Sequence, residues 1–231
     1  MSLVLVFFIY CYYNPSSQNQ SYRTKNVSAV DQITENKIYN LYREAKLEPQ
    51  LPFALFRSAM IGFYNMEELN FFDIITIIDY SKPSTAKRFY VIDLEKKKLL
   101  YKSCVAHGKN SGEDLAGDFS NVQDSKKSSL GFFLTAETYQ GKNGYSLRLD
   151  GIEKGINHNA RKRAIVIHGA DYVSNTFIQR EGRLGRSWGC PALPGEKSEE
   201  IINAISGGRG LFIYGNDEYY RNHSKYIPKT Q

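Results

Sequence analysis

The sequence lacks the residue patterns that mark several large protein classes. Its 231 residues include only 3 cysteines, an odd number, so a disulfide framework is not expected. Cysteine and histidine never occur in Cys-x-x-Cys or His-x-x-x-His spacing, which argues against a zinc site. No apolar run reaches the roughly 20 residues that a membrane-spanning helix needs, and no internal repeat is present.

Composition favours a globular chain, and the charge is typical of a solvated surface with a mild cationic bias that is also compatible with an anionic partner. Hydrophobic residues make up 42% and charged residues 23% of the chain, which is too ordinary for wholesale disorder. The net charge of +6 suits nucleic acid, an anionic membrane or an acidic polymer. No nucleic-acid motif adjoins the basic run at residues 161–163, and residues 108–112 lack phosphate-loop spacing. We therefore expect no nucleic-acid partner.

The N-terminal region is typical of an export signal followed by a linker. Residues 3–13 are almost wholly apolar, and residues 14–26 are rich in Ser, Gln and Asn. Cys11 would be a site for lipid attachment, although Tyr10 is bulky where such signals have a small residue. We predict a signal and linker over residues 1–26, export to the periplasm or cell envelope, and membrane association through the N-terminus only.

Two helices are predicted before the first strand. Apolar side chains recur at steps of three to five residues, which approximates one helical face. They are Val30, Ile33, Ile38, Leu41 and Ala45. Pro52 is well placed as the first residue of a second helix that carries several aromatic residues. The pattern predicts a helical hairpin extension over residues 31–69, in which the aromatic side chains serve packing alone.

Strand patterns dominate the remaining sequence. The predicted strands cover residues 74–79, 89–94, 99–106, 131–137, 145–149, 164–168 and 211–214, with helices at 171–181 and 197–205. Because strands predominate and helices lie at the edges, we predict a β-rich α+β domain over residues 70–216. Residues 217–231 are polar and are predicted to form a loose tail.

The residues that point to chemistry lie between 164 and 194. His168 closes a buried-looking strand, and Cys190 follows Gly189 in a loop. A thiol attacks a carbonyl only as the thiolate, so Cys190 would be the nucleophile and His168 the general base. Gly189 permits backbone angles closed to other residues. The amides of Gly189 and Cys190 are therefore the best candidates for holding a developing oxyanion.

Taken singly, each of these residues more often serves the fold alone. A lone cysteine is usually a small core residue, and we interpret Cys104 in a predicted strand as buried and structural. A histidine at a strand end is often only a satisfied hydrogen-bonding group. Zinc bound by Cys190, His168 and His107 is conceivable, but no metal-ligand spacing supports it.

The His-Gly pair and the Ser187-x-Gly189-Cys190 segment together resemble the catalytic domain of the murein L,D-transpeptidases, also called the YkuD type. The resemblance runs from about residue 33 to residue 214. Further matching segments are residues 78–84 (IDYSKPS), 105–108 (VAHG), 128–132 (SSLGF), 145–151 (YSLRLDG), 168–173 (HGADYV) and 182–187 (GRLGRS). So many segments in one order make the resemblance specific.

The resemblance implies a mixed sheet or sandwich with a catalytic cysteine and histidine. It further implies that Cys190 attacks a peptidoglycan stem peptide, releases D-alanine and passes the acyl group to a second stem, which forms a 3-3 cross-link. Water as the acceptor would make the protein an L,D-carboxypeptidase. A non-catalytic wall-binding module is the third possibility. We expect no metal, no organic cofactor and a monomer.

The remaining site residues are assigned by position and chemistry. Ser187 would orient His168 or contact the substrate. Arg183 and Arg186 flank the nucleophile loop and could bind a stem-peptide carboxylate, since a guanidinium does so with two parallel hydrogen bonds. The other predicted substrate-binding residues are His107, Tyr145, Arg148, Trp188 and Gly169.

Overall fold

The computed structural model describes residues 31–228, and it begins with two helices. Helix α1 spans Gln32–Glu44, and the side chain of Asp31 caps it by accepting a hydrogen bond from the Thr34 amide at 2.8 Å. Helix α2 spans Phe53–Tyr64. Pro52 has extended backbone angles, so it precedes α2 instead of forming its first turn as predicted. The predicted signal and linker, and Val30, lie outside the described residues.

One residue that was predicted to belong to the buried apolar face of α1 is exposed to solvent. Ile33 is 68% exposed, whereas Ile38 and Ala45 are buried as expected. Thr34 and Tyr42 complete the buried stripe, at steps of four, four and three residues. The Tyr42 hydroxyl donates to the Leu51 carbonyl at 2.6 Å, which joins α1 to the segment before α2.

Eight strands of the described chain form a single mixed sheet. They are β1 Ile74–Asp79, β2 Phe89–Asp93, β3 Lys98–Ser103, β4 Gly131–Gly141, β5 Gly144–Gly151, β6 Val166–Ala170, β7 Ala192–Pro194 and β8 Gly210–Tyr214. Their spatial order is β3-β2-β1-β8-β4-β5-β6-β7. The pairs β1–β8 and β6–β7 are parallel, and the other pairs are antiparallel. The predicted β-rich α+β fold is confirmed.

The two ends of the sheet approach each other around the segment that follows β3. Ala106 donates to the Ala192 carbonyl at 2.8 Å and accepts from the Ala192 amide at 3.3 Å. Ala192 also pairs with His168 on its other side, in the parallel β6–β7 register. The strand that leads out of the Cys190 loop is therefore held between two segments distant in sequence.

Three further α-helices among residues 31–228 lie outside the sheet. They are α3 Asn175–Glu181, α4 Gly195–Ile205 and α5 Glu218–His223. Helix α3 begins four residues later than predicted because Ser174 caps it, accepting from the Phe177 amide at 3.3 Å. No helix within residues 31–228 has the length and apolar character needed to cross a bilayer.

The helical hairpin and the sheet share one hydrophobic core. Helix α2 lies so close to β4 that a Cβ added at Gly62 would collide with the ring of Phe132. Phe132 stacks in turn on Phe212 of β8, with ring centroids 4.4 Å apart. The position of a boundary between a 31–69 extension and a 70–216 domain therefore stays a prediction.

The prediction of a loose tail is wrong for the described residues after Asn216. Tyr220 of α5 is 1% exposed, and its hydroxyl donates to the buried carboxylate of Glu153 at 3.2 Å. Ser224 donates to the same carboxylate at 2.5 Å. Burial raises the pKa of Glu153, although these hydrogen bonds act in the opposite direction. The polar sequence gave no indication of helix α5, which is held in place by hydrogen bonds to the buried carboxylate of Glu153.

Candidate active site

The loop that carries Cys190 is fixed by its own polar groups. Ser187 Oγ donates to the Cys190 carbonyl at 2.6 Å and accepts from the Gly189 amide at 3.0 Å. Ser128 Oγ donates to the Gly189 carbonyl at 3.0 Å. Gly189 has φ +127°, and a Cβ there would lie 2.8 Å from the Lys127 carbonyl oxygen. Only glycine fits at this position, which sets the path of the chain into Cys190.

The Cys190 thiol rests against the start of β6. Its sulfur accepts from the Val166 amide at 3.5 Å and lies 3.6 Å from the Ala164 carbonyl, to which the S–H donates. Burial raises the pKa of the thiol, while the Val166 amide and the charge of Arg163 lower it. Burial dominates, so the free protein holds a thiol at neutral pH and needs a base to ionise it.

His168 is suited to be that base. The side chain is 5% exposed, and its Nδ1 lies 2.9 Å from the Gly169 carbonyl. That contact places the proton on Nδ1 and leaves Nε2 free to accept one. Burial lowers the pKa of His168 below its usual 6.5, so the ring is neutral at pH 7. Within residues 31–228 no hydrogen bond yet joins the His168 ring to the sulfur of Cys190.

Cys190 and His168 line the same cavity, whose volume is about 630 Å³. We call it the catalytic cavity. Its other lining residues are Lys142, Asn143, Arg163, Ala164, Ile165, Gly169, Ala170, Asp171, Tyr172, Arg186, Ser187 and Trp188. Trp188 is 75% exposed at the rim, and the ammonium of Lys126 lies 5.0 Å from the centre of its ring. The structure therefore brings together the predicted nucleophile, the predicted base and four other predicted residues.

The predicted roles of Ser187 and Gly189 need correction. Ser187 Oγ is engaged by the Cys190 carbonyl and the Gly189 amide, so it shapes the loop and does not orient His168. The Gly189 amide is used by the same contact. Of the two predicted oxyanion donors, only the Cys190 amide has no partner among the residues that the structure describes.

The two arginines of the nucleophile loop both pair with Glu113. Arg183 Nε lies 3.0 Å from the Glu113 carboxylate, and Arg186 Nη1 lies 2.7 Å from it. The hydrogen bond from Arg186 holds the pKa of Glu113 below its usual range. Arg186 lines the catalytic cavity, whereas Arg183 does not. A substrate carboxylate would have to compete with Glu113 for either guanidinium.

The prediction that His107 lines the cleft is wrong, because its side chain is completely buried. Its Nδ1 lies 2.7 Å from Nη2 of the equally buried Arg88, and its Nε2 lies 3.3 Å from the Gly112 carbonyl. Burial, assisted by the charge of Arg88, lowers the pKa of His107 to about 4. The His107 carbonyl accepts from the Ser187 amide at 3.0 Å, so this segment supports the nucleophile loop from behind.

Tyr145 and Arg148 also lie outside the catalytic cavity. The Tyr145 hydroxyl donates to Asn203 Oδ1 at 2.6 Å. Arg148 pairs with Glu137 at 3.1 Å and covers the ring of Tyr139. Both side chains are occupied with neighbours on β4 and α4, and their substrate contacts stay a prediction.

Several residues of the cavity were not predicted. Arg163 donates to the carbonyls of Ser120 and Lys127, at 2.5 and 2.6 Å, and its charge acts on Cys190. In the sequence it belongs to a basic run typical of a solvated surface. Asp171 and Tyr172 stand in a matching segment to which no role was assigned.

Cys104 is more accessible than predicted. It is only half-buried, and its sulfur lies 3.9 Å from the Thr85 carbonyl. Burial raises the pKa of its thiol. Cys104 lies outside the catalytic cavity, and its structural role stays a prediction.

The family of the chain follows from comparison with known proteins. A sequence model of the L,D-transpeptidase catalytic domain matches residues 47–214. No curated protein matches the sequence. An L,D-transpeptidase structure from Mycobacterium smegmatis is 13% identical, with a TM-score of 0.39 over 62% of this chain and 59% of that one. L,D-transpeptidase 3 from Mycobacterium tuberculosis is 11% identical, with a TM-score of 0.40 over 62% of this chain and 61% of that one.

The chain thus spans about three fifths of the length of the solved structures that it matches. The family match itself covers well over half of the 231 residues. The chain therefore belongs to the L,D-transpeptidase catalytic domain family.

Proposed function

We propose that the protein is a cysteine-dependent acyltransferase that forms 3-3 cross-links between peptidoglycan stem peptides and releases D-alanine. Membership of the L,D-transpeptidase catalytic domain family supports the reaction class. The observation that carries the assignment of roles is the shared cavity, because Cys190 and His168 both line it and its volume of about 630 Å³ is in the range of small-molecule sites.

The first half-reaction acylates Cys190. His168 Nε2 takes the proton of the thiol, and the sulfur attacks the carbonyl carbon of the diamino acid that precedes the terminal D-alanine. The bond from that carbon to nitrogen breaks, and His168 returns the proton to the leaving amine. The product is a thioester on Cys190 and free D-alanine.

The thiol must change its hydrogen-bond partner before this step. In the described structure it donates to the Ala164 carbonyl and not to His168. Catalytic hydrogen bonds often form only when the substrate is bound, so the free arrangement is compatible with this role. The Cys190 amide, free of partners within residues 31–228, is the donor best placed to bind the tetrahedral oxyanion.

The second half-reaction transfers the acyl group. An amine of a second stem attacks the thioester carbon, the carbon–sulfur bond breaks, and the amine proton passes by way of His168 to the sulfur. If water attacks instead, the product is a shortened stem and the protein is a carboxypeptidase. Peptidoglycan lies outside the inner membrane, so the proposal requires export to the periplasm or cell envelope.

The test is turnover of a tetrapeptide stem by the full chain, with and without an amine acceptor, followed by product mass. We expect release of D-alanine and a product of acceptor mass plus acyl group. Cys190→Ala should abolish both, whereas Cys104→Ala should retain them. A carbapenem adduct on Cys190, found by intact mass, would identify the nucleophile independently. Binding of stem peptide without turnover by the unaltered protein would overturn the proposal in favour of a binding module.

A further inference from the structure

Arg163 is a desolvated cation that lines the catalytic cavity beside the nucleophile. Its Nη2 would lie 3.5 Å from a Cβ added at Gly189, the residue that precedes Cys190. Arg186, the other arginine of this cavity, is neutralised by Glu113. Arg163 forms no ion pair within residues 31–228, and the charge of the exposed Asp124 acts on it without forming one. The charge of Arg163 is therefore not cancelled by a contacting acid.

The guanidinium is held by uncharged groups of a single segment, residues 120–129. Nη1 and Nη2 each donate two hydrogen bonds to it. The acceptors are the carbonyls of Ser120 and Lys127 and the hydroxyls of Ser125 and Ser129. Nε is buried and has no acceptor among the described residues. Neutral acceptors fix the position of a guanidinium and leave its charge in place, whereas a carboxylate would offset that charge.

The same 120–129 segment holds the nucleophile loop. Ser128 Oγ donates to the Gly189 carbonyl at 3.0 Å and accepts from the Gly108 amide at 3.0 Å. The Lys127 carbonyl, which accepts from Arg163, lies 2.8 Å from the Cβ position of Gly189. One continuous piece of chain therefore sets the position of the cation relative to the residue that carries the thiol.

The other titratable groups that face Cys190 in the described chain are neutral at pH 7. His168 is neutral before it takes a proton, because burial lowers its pKa. Burial raises the pKa of Tyr80 to about 12 and raises that of Tyr172 as well, and the charge of Cys190 acts in the same direction on both phenols. None of these three side chains supplies a positive charge to the thiol before the reaction begins.

The other charged groups near Cys190 have partners elsewhere or do not act on its thiol. Those that line the cavity are Lys142, Asp171 and Arg186. Within residues 31–228 none of them contributes to the pKa of the thiol, whereas the charge of Arg163 lowers it. In the 120–129 segment, Lys127 pairs with Asp118, and the ammonium of Lys126 lies over the ring of Trp188.

We propose that Arg163 is a positioning residue for the reaction, whose fixed and unneutralised charge stabilises the Cys190 thiolate that forms when His168 takes the thiol proton. The inference rests on the proposed function, because it assigns an electrostatic partner to the proposed nucleophile. The ionisation moves one proton from sulfur to His168 Nε2 and leaves a thiolate beside an imidazolium. The guanidinium stays charged throughout, so it offsets the cost that burial imposes on the thiolate and transfers no proton.

The test is the pH profile of Cys190 alkylation by iodoacetamide in the full chain, with the rate read from the mass of the peptide that contains Cys190. The thiolate is the reactive form, so the midpoint of the profile reports the thiol pKa. We expect Arg163→Gln to raise the midpoint by about one pH unit, which slows alkylation about tenfold below the midpoint. Arg163→Lys should recover most of that shift. Lys162→Gln removes an exposed charge one residue earlier and is the matched control, with a shift below about 0.2 pH units.

A second pair of variants keeps Arg163 and changes only the charge beside it. Ser125 is half-buried, and its Oγ accepts from Arg163 Nη2 at 3.1 Å. Ser125→Asp places a carboxylate at this contact and should raise the midpoint by about half a pH unit. Ser125→Asn introduces a side chain of the same size without the charge and should leave the midpoint unchanged. Thermal melting checks the fold of every variant, and this pair decides the question if Arg163→Gln does not fold.

A lower midpoint in Arg163→Gln would overturn the inference, because a purely structural loss would loosen the loop and relieve the burial that raises the pKa of the thiol. An unchanged midpoint in folded Arg163→Gln, or in Ser125→Asp, would also overturn it. Equal shifts in Ser125→Asp and Ser125→Asn would do the same, since the shape of the segment and not its charge would then be responsible.

The alkylation experiment needs no stem peptide, so its result is independent of turnover. Failure of the unaltered protein to release D-alanine from a tetrapeptide stem would overturn the proposed function, while the alkylation profiles would still report whether Arg163 acts on the thiol. A normal release of D-alanine together with an unshifted profile in Arg163→Gln would instead overturn the inference and leave the acyltransferase proposal intact.

Discussion

Two segments of this protein carry the same His-Gly pair and lie on either side of the same strand. Residues 105–108 and 167–169 both pair with Ala192 of β7, the first through Ala106 and the second through His168. Yet His107 packs against the buried guanidinium of Arg88, whereas His168 lines the catalytic cavity. The role of each is set by what packs on it and not by its local sequence.

The difference is also one of electrostatics. Both imidazoles are neutral at pH 7, because burial lowers the pKa of each. His107 faces the charge of Arg88, so its protonation is opposed strongly and it serves as a fixed acceptor. Within residues 31–228 the His168 ring makes one hydrogen bond, to the Gly169 carbonyl, which favours the protonated ring and suits it to the proton exchange that we propose. Four experiments test this contrast between the two histidines.

The largest effect is expected from His168→Gln. The variant removes the base while keeping a polar side chain, so acylation should slow by roughly 10²–10⁴-fold. Carbapenem adduct formation measured by intact mass over time gives the rate, and thermal melting checks that the fold is kept. An acylation rate within about tenfold of the unaltered protein would mean that another group takes the thiol proton.

His107→Ala should damage stability first. It removes one of the two acceptors of Arg88 Nη2 and leaves only the Val105 carbonyl, which we expect to lower the free energy of unfolding by about 2–3 kcal/mol. Urea titration measures the loss. The exposed His158 supplies the control, since His158→Ala should change stability by less than about 0.5 kcal/mol. A stable but slow His107→Ala variant would argue for a direct part in the reaction.

Stability should depend on pH through His107. Its folded pKa of about 4 lies below its ordinary 6.5, so the unfolded chain binds the proton more tightly. The stabilisation is complete above about pH 6.5 and is lost as the pH falls through 4, by roughly 3 kcal/mol in total. Urea titrations at several pH values should show this slope, and it should be weaker in His107→Ala. Equal slopes in both proteins would place the titrating group elsewhere.

The smallest effect is expected from a change in the nucleophile loop, at Ser187. Ser187→Ala removes the hydrogen bonds to the Cys190 carbonyl and from the Gly189 amide, so it should cost about 1–2 kcal/mol of stability. Acylation should slow about tenfold, because the loop no longer holds the sulfur in one place. Ser206→Ala, which removes only a hydroxyl contact of 3.5 Å to the Asn203 carbonyl, serves for comparison. Loss of stability without any change in rate would show that the loop keeps its shape by other contacts.

Sequence patterns predicted the positions of strands and helices better than they predicted which side chains are buried. Strand β1 was predicted with the observed bounds, since its run of Ile and Thr favours a strand over a helix. Helix α5 was not predicted, because its cap, Asp217, and its buried Tyr220 lie in an otherwise polar stretch. The burial of Arg88 was not predicted either, because nothing local indicates that a charged side chain will be completely enclosed.

In the candidate site, too, the sequence did not predict which side chains would be buried. Cys190 and His168 were predicted from chemistry and family resemblance, and the cavity unites them. His107 stands in an equally suggestive His-Gly segment and was assigned wrongly. The two histidines differ in the side chains that pack on them, and the pairing of residue 106 with residue 192, which brings their segments together, is a long-range contact that no sequence window contains.

That pairing has a consequence for how the protein matures. Ala192 bonds to Ala106 and pairs with His168, so the nucleophile loop acquires its shape only after regions separated by more than eighty residues have met. Contacts of such high sequence separation form slowly during folding. In an incompletely folded chain the Cys190 thiol would therefore lack its fixed position. The rate at which Cys190 is acylated would then report whether β7 has paired with Ala106 and with β6.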